Sequence, residues 1–272
     1  MTKFFFPLII CALISLSSSC DQKIKEDGQS LKDNKQDSVL VAESPSELKM
    51  YEIDSAMPSF QEVKTLRWEK TKDDNSEFIE VTAYLNEKGY PSKIVEYFYG
   101  GNFKDQGERN YYFEDNVLIA VTERVDKWAD SSTNFFQVTQ TFYEDGKATF
   151  SRARTAQYEE NIEKEAWKKA PVTSHVDHLE TVNQVLSGEG RFQTNFISVI
   201  QGPNSIFLLL GEPKEDDRYV TTVRVDELTP FVKDLLDNMR KYRFRPLRIQ
   251  FKVVGGKGQP EFRVLTDAEW IE

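Results

Sequence analysis

His175 and His178 are the only histidines in the 272-residue chain, three residues apart with Asp177 and Glu180 beside them. On a helix that spacing puts both rings on one side, and ferritin-like carboxylate proteins hold metal with such pairs. A protein metal site takes three or four ligands. No second segment offers matching spacing, so the pair is read as two partly exposed histidines near a helix start. No metal and no cofactor is assigned. A serine nucleophile needs a constrained turn, and no Gly-x-Ser-x-Gly stretch occurs. The pairs Asp73-Asp74 and Asp216-Asp217 have the residue type of glycosidase carboxylates, but they sit in polar, turn-like runs where solvated surface is the default. Gly255-Gly256-Lys257-Gly258 has phosphate-loop composition without a following helix to present its N-terminus, so it reads as a hairpin turn. No residue receives a catalytic role.

A basic run is less easily set aside. From Arg240 to Lys252 there is no acidic residue, and Arg243, Arg245, Arg248 and Lys252 alternate with Tyr242, Phe244 and Phe251. Charge interleaved with rings is what a groove uses to follow a polyanion. The competing reading is a solvated strand face whose arginines pair with acidic groups elsewhere. Residues 188–272 carry thirteen acidic and thirteen basic side chains, and the net charge of −10 comes from the sequence before them. That region lacks the basic excess of a nucleic-acid binder. Nucleic acid is disfavoured, and an anionic glycan, a peptide or an envelope protein is the expected partner of these four residues.

Location is more legible than chemistry. Lys3 precedes an apolar run from Phe4 to Leu16, then Ser17-Ser18-Ser19-Cys20, and charged sequence follows at once. The run is shorter than the ~20 apolar residues of a membrane-spanning helix, and Pro7 interrupts it. This order resembles a bacterial lipoprotein signal, although Leu16 stands four residues before the cysteine rather than three. The resemblance implies removal of residues 1–19 and acylation of Cys20 with a diacylglyceryl group and an N-acyl chain such as palmitate. The protein would then be lipid-anchored to a membrane of the cell envelope on the exported side, periplasmic or surface-exposed. Cys11 would leave with the signal, so the mature chain would hold one cysteine and no internal disulfide. At ~0.8 kcal/mol per buried methylene, such an anchor holds stably. An ordinary secretory signal and an uncleaved anchor are the alternatives.

The fold class expected is β-rich, mainly β with a few helices: an antiparallel β-meander followed by a small OB-like five-stranded barrel. Residues 20–58 read as a flexible tether, in which Ser44-Pro45-Ser46-Glu47 starts a short helix that nothing sustains. Residues 59–155 form the meander of about seven strands. Within it, Tyr84-Leu85-Asn86-Glu87-Lys88-Gly89, Tyr112-Phe113-Glu114-Asp115-Asn116 and Phe142-Tyr143-Glu144-Asp145-Gly146 repeat aromatic or Leu positions before an acidic turn closed by Gly or Asn. The repeat loosely resembles YD- and MORN-type hairpin proteins, whose fixed motifs it lacks.

Residues 156–187 read as a helical connector. Tyr158, Ile162, Ala166 and Trp167 make a first stripe, and Leu179, Val182 and Leu186 a second, capped at Thr173 or Ser174 and stopped by Gly188. In 188–272, three strands from Gly190 to Val225 precede a helix begun by Thr229-Pro230 with Val232, Leu235, Leu236 and Met239 inward. Two strands follow, the first with Leu247, Ile249, Phe251 and Val253 facing in. That order, ending in Gly258-Gln259-Pro260-Glu261-Phe262-Arg263-Val264, resembles the OB-fold family.

The function expected is a non-catalytic binding or scaffolding module for a glycan, peptide or partner protein. A hydrolase of envelope polymers is the alternative, marked by a cleft carboxylate of raised pKa. A spacer without a ligand would lack any concave, aromatic-lined surface.

Overall fold

Hairpin follows hairpin along most of the chain. The computed structural model describes residues 44–271 except 73–74, 103, 131, 214–217 and 257–258. Cys20, the signal stretch, most of the tether and the two Asp-Asp pairs lie outside the described residues. Helix α1 (Pro45–Ala56) comes first. It is followed by strands β1 (Gln61–Lys64), β2 (Trp68–Lys72), β3 (Asn75–Leu85), β4 (Pro91–Tyr99), β5 (Gln106–Glu114), β6 (Val117–Asp130), β7 (Thr133–Glu144), β8 (Lys147–Ala156) and β9 (Lys168–Lys169). After α2 (Val176–Ser187) come β10 (Phe196–Gln201), β11 (Ile206–Gly211), β12 (Val220–Val225), α3 (Pro230–Asp237), α4 (Met239–Tyr242), β13 (Leu247–Gly256) and β14 (Gln259–Trp270). The protein is β-rich. The fourteen strands of the described residues form one sheet in the order β10-β11-β12-β2-β3-β4-β5-β6-β7-β8-β9, with β1 added to β3 and the β13–β14 hairpin joined to β12.

Strands β2 to β8 are the seven antiparallel strands of the meander. The acidic turns work as their residue types require. Asp115 and Asn116 have φ of 47° and 65°, and Asp145 and Gly146 have 50° and 74°: two-residue turns with both central residues left-handed. That backbone matches the twist of the flanking strands, which is why Asn, Asp and Gly occupy it. Between β3 and β4, Asn86 Oδ1 instead accepts from the backbone N–H groups of Lys88 (3.0 Å) and Tyr90 (3.1 Å).

Alternation gives the meander two faces. On one, Val81, Ile94, Tyr111 and Val121 join the main core with Val182 and Val185 of α2. This is the α2 face. Helix α2 ends at Gly188, whose φ of 67° suits glycine. Phe192, in a 3-10 turn at 190–192, is fully buried and meets Trp68 edge-on at 5.7 Å. On the other face, Tyr112, Ala120 and Phe142 pack against Met50 and Ile53 of α1. This is the α1 face.

Several expectations change. Helix α1 is sustained for twelve residues, so the stretch ending at residue 58 is folded from Ser44 onward. Met50 and Ile53 bury against the sheet, Glu47 pairs with the equally buried Arg152, and Asp54 takes Lys93 at 2.7 Å. Tertiary packing sustains a helix with hardly any amphipathic stripe. Residues 156–170 form a 3-10 turn at 159–164 and the short β9 rather than a helix. Ile162 is drawn onto Val138 and Ala156, and Trp167 lies over the guanidinium groups of Arg152 and Arg154. After α3, capped by the Thr229 hydroxyl, the helix breaks at Asn238, and Met239 is exposed.

At the C-terminal end, β10–β11–β12 are antiparallel, β12 meets β14 in parallel at Arg224↔Val264, and β13 pairs antiparallel with β14. A lone bridge joins Asn195 to Pro246. Strand β12 also pairs with β2 through Val220↔Glu69, so these strands belong to the larger sheet. That sheet is not closed, and a closed five-stranded barrel is not seen among the described residues.

Candidate functional site on two faces of three strands

Strands β4, β5 and β6 carry polar groups at positions where alternation calls for core. Glu96, Arg109 and Glu123 stand opposite one another across the three strands. All three lie on the α2 face, beside Ile94, Tyr111 and Val121. An unpaired charge there would cost several kcal/mol. Arg109 resolves this by donating through Nε to Glu123 Oε2 at 2.8 Å, while its Nη1 lies 3.3 Å from both oxygens of Glu96. Its guanidinium stacks on Phe98, 3.9 Å from the ring centroid. Tyr111 Oη donates to Glu96 at 2.9 Å.

Helix α2 and the residue that caps its start bring both histidines onto this row. His178 Nε2 is 2.8 Å from Glu96 Oε1 and 2.7 Å from Arg109 Nη1. A ring nitrogen either donates or accepts, so it serves one of them at a time. The backbone N–H of His175 donates to Tyr143 Oη at 2.9 Å, and that hydroxyl lies 3.1 Å from His175 Nδ1. With Tyr143 donating to Nδ1, the proton sits on Nε2, which faces Glu123 at 3.6 Å. That is an electrostatic contact, too long for a hydrogen bond.

The network keeps its carboxylates ionised. Burial alone would raise Glu96, but the His178 hydrogen bond, the Arg109 charge and the Tyr111 hydroxyl hold it below its ordinary value. Burial also works against Glu123, yet His175 and Arg109 hold it down at about 2. Among the described residues, every other carboxylate displaced from its usual range, namely Asp130, Glu163 and Asp226, is also lowered. A general acid needs the opposite shift. The histidines take different carboxylates, and among the described residues no three His, Cys, Asp or Glu side chains converge to hold a metal.

The α1 face of the same strands is open where α1 and the 3-10 turn leave it uncovered. A cleft of about 510 Å³ there is lined by Phe78, Tyr97, Tyr99 and Phe136, with Gln106, Glu108, Arg124 and Asp126. The Phe78 and Tyr99 rings stack at 5.9 Å, and Tyr97 is 43% exposed. Arg124 reaches away to Glu159 and Glu163. Rings with a few polar groups between them are a common lining of ligand clefts.

Strand β13 alternates as expected, Arg248 and Lys252 exposed and Leu247 buried. Arg248 pairs with Glu269 at 2.6 Å. Arg245 is also exposed, its guanidinium 4.8 Å from the Trp270 ring, and Arg243 lies 4.7 Å from the Phe244 ring. None of the four lines either face of β4–β6. Gly255 and Gly256 end β13. Glu96, Arg109 and Glu123 had escaped notice in the sequence. Their signal was parity: each is a charge two residues from a core side chain on its own strand. Among the described residues no helix is long and apolar enough to cross a membrane. Compared with protein-family models, with curated proteins and with solved structures, the chain matches none.

Proposed function

We propose that this chain is an envelope lipoprotein, anchored through Cys20, whose folded part binds a peptide, glycan or partner protein and performs no catalysis. The observation that carries the binding reading is the open cleft lined by Phe78, Tyr97, Tyr99 and Phe136. A spacer needs no aromatic surface of that kind. The hydrolase alternative gains no support from Glu96 and Glu123, which cations and hydrogen-bond donors hold ionised, the opposite of what a general acid needs. The anchor rests on the Ser17-Ser18-Ser19-Cys20 stretch and the apolar run before it. For residues 188–272, the order of three strands, the helical stretch α3–α4 and two strands supports an OB-like reading, with Arg243, Arg245, Arg248 and Lys252 as a second, basic contact surface.

Native mass spectrometry of the full-length protein, extracted gently from its own membrane, tests this reading. The expected result is an acylated chain with a retained ligand that the Tyr97→Ala/Tyr99→Ala variant lacks. A ligand retained equally by that variant would remove the cleft from the proposal. Cys20→Ser is expected to release the protein from the membrane fraction, and unchanged retention would overturn the anchor.

A further inference from the structure

The two faces of β4–β6 differ in one respect that identifies a ligand. On the α2 face a guanidinium, that of Arg109, sits on the Phe98 ring between the carboxylates of Glu96 and Glu123. On the α1 face, Glu108 and Asp126 stand among the rings, and the one guanidinium these strands carry there, that of Arg124 opposite Glu108, pairs with Glu159 and Glu163 rather than with them. Glu108 Oε1 accepts only from the Asn110 amide at 3.0 Å. Asp126 accepts from the amides of Gln106 (3.1 Å) and Asn134 (2.9 Å). Among the described residues neither has an ion-pair partner. The nearby cations are engaged elsewhere: Arg124 with Glu159 and Glu163, and Arg67 with Glu69 at 3.3 Å and over the Phe78 ring at 3.8 Å.

We infer that the cleft of Tyr97, Tyr99, Phe78 and Phe136 takes an arginine side chain from a basic polypeptide segment, the guanidinium stacking on the rings and pairing with Glu108 and Asp126. This rests on the binding reading above and narrows its ligand class. A planar guanidinium satisfies a ring face and a carboxylate together, which a neutral sugar does not. The negative field of this face is registered by its tyrosines. Burial, and then the charges of Glu108, Glu80, Glu62 and Glu261, raise the Tyr97 hydroxyl, while burial, Glu62 and Tyr97 push Tyr84 up to about 12. An anionic ligand would meet that field unfavourably.

The test is calorimetric titration of the full-length protein in a nonionic detergent with hexa-arginine, and with hexaglutamate for contrast. Hexa-arginine is expected to bind and hexaglutamate not. Glu108→Gln/Asp126→Asn should weaken hexa-arginine binding about tenfold or more, since each removes a charge-assisted hydrogen bond. The charge-matched Glu227→Gln/Asp237→Asn variant, altered after β12 and at the end of α3, should stay within about twofold if only screened long-range charge is lost. Hydroxyl-radical footprinting of the unmodified protein should show hexa-arginine protecting Tyr97 and Tyr99, a readout that needs no variant to fold. Equal weakening by both variants, no binding, or no protection of the tyrosines would overturn the inference. A neutral or anionic native ligand lost in Tyr97→Ala/Tyr99→Ala would overturn it too, yet leave the binding reading standing.

Discussion

Strands β4, β5 and β6 show the same sequence alternation serving two purposes. Their α2 face carries Glu96, Arg109 and Glu123 under a helix, and each of these three has a partner there. Their α1 face carries Tyr97, Tyr99, Glu108 and Asp126 along an open cleft, where the two carboxylates take amide donors but no ion pair among the described residues. Burial decides the difference. A charge shut beneath α2 must be neutralised within the protein, because water cannot do it. A charge left in an open cleft stays solvated, so it can be kept for an external partner at little cost to the fold. On the binding reading proposed above, the buried face holds stability and the open face affinity, and substitutions should separate the two.

The largest effect is expected from Arg109→Ala. It strands two buried carboxylates at once, and breaking a buried pair by removing one partner costs about 3–5 kcal/mol. Urea unfolding should show that loss, while hexa-arginine binding by the folded fraction stays unchanged. A loss below about 1 kcal/mol, the range of exposed pairs, would mean that water reaches the network.

Acid should act on the same face. Glu123 titrates near 2 in the folded protein against an ordinary 4.5, so its stabilisation is complete above pH 4.5 and is lost as pH falls toward 2. The side chain is mostly buried, and the linkage amounts to something on the order of 3 kcal/mol. Glu123→Gln should lower stability at neutral pH and flatten its acid dependence, leaving the contribution of Glu96, which is also held below its ordinary value. The same acid slope in wild type and variant would count against the assignment.

How much of this was legible in the sequence follows from what kind of signal each part leaves. The meander was legible because its turns use residues that tolerate positive φ, at Asp115-Asn116 and Asp145-Gly146. Helix α2 was legible through its apolar stripe and Gly188. Helix α1 was not, since its stability comes from Met50, Ile53 and Glu47 docking on strands 60 or more residues away. Nor was the 156–170 region, where helical spacing yielded to the pull of Ile162 and Trp167 onto the sheet. The charged row could have been found from parity on single strands. That its members face one another depends on cross-strand register, which the hairpin turns set but no single strand displays. The cleft was hidden for a different reason: its openness depends on where α1 and the 3-10 turn stop, a property of packing alone.

On the open face the expected stability changes are smaller. Tyr97→Ala/Tyr99→Ala removes one exposed ring and one ring stacked on Phe78, about 1–2 kcal/mol together. Thermal unfolding should move little while ligand binding disappears. A large fall in melting temperature with binding intact would invert the comparison, making the aromatic cleft a structural element.

The smallest effect on stability belongs to Arg243→Ala/Arg245→Ala/Arg248→Ala, at the far end of the chain. The Arg248–Glu269 pair is about two-thirds exposed on both sides, and such pairs contribute roughly 0–1 kcal/mol. Arg245, exposed over Trp270, adds about 0.5–1 kcal/mol. A melting temperature near the wild-type value is therefore expected, and hexa-arginine binding should be unaffected, because these side chains lie outside the cleft. Their own role is read by a polyanion, for which heparin is a suitable probe. Loss of salt-sensitive heparin binding without loss of stability would mark β13 as a contact surface of opposite sign to the cleft, so that one protein presents an acidic aromatic face and a basic one. Unchanged heparin binding with a measurable fall in stability would reduce the basic run to the support of Trp270 and Glu269. The acidic cleft on β4–β6 would then stand as the charged binding surface of the described fold.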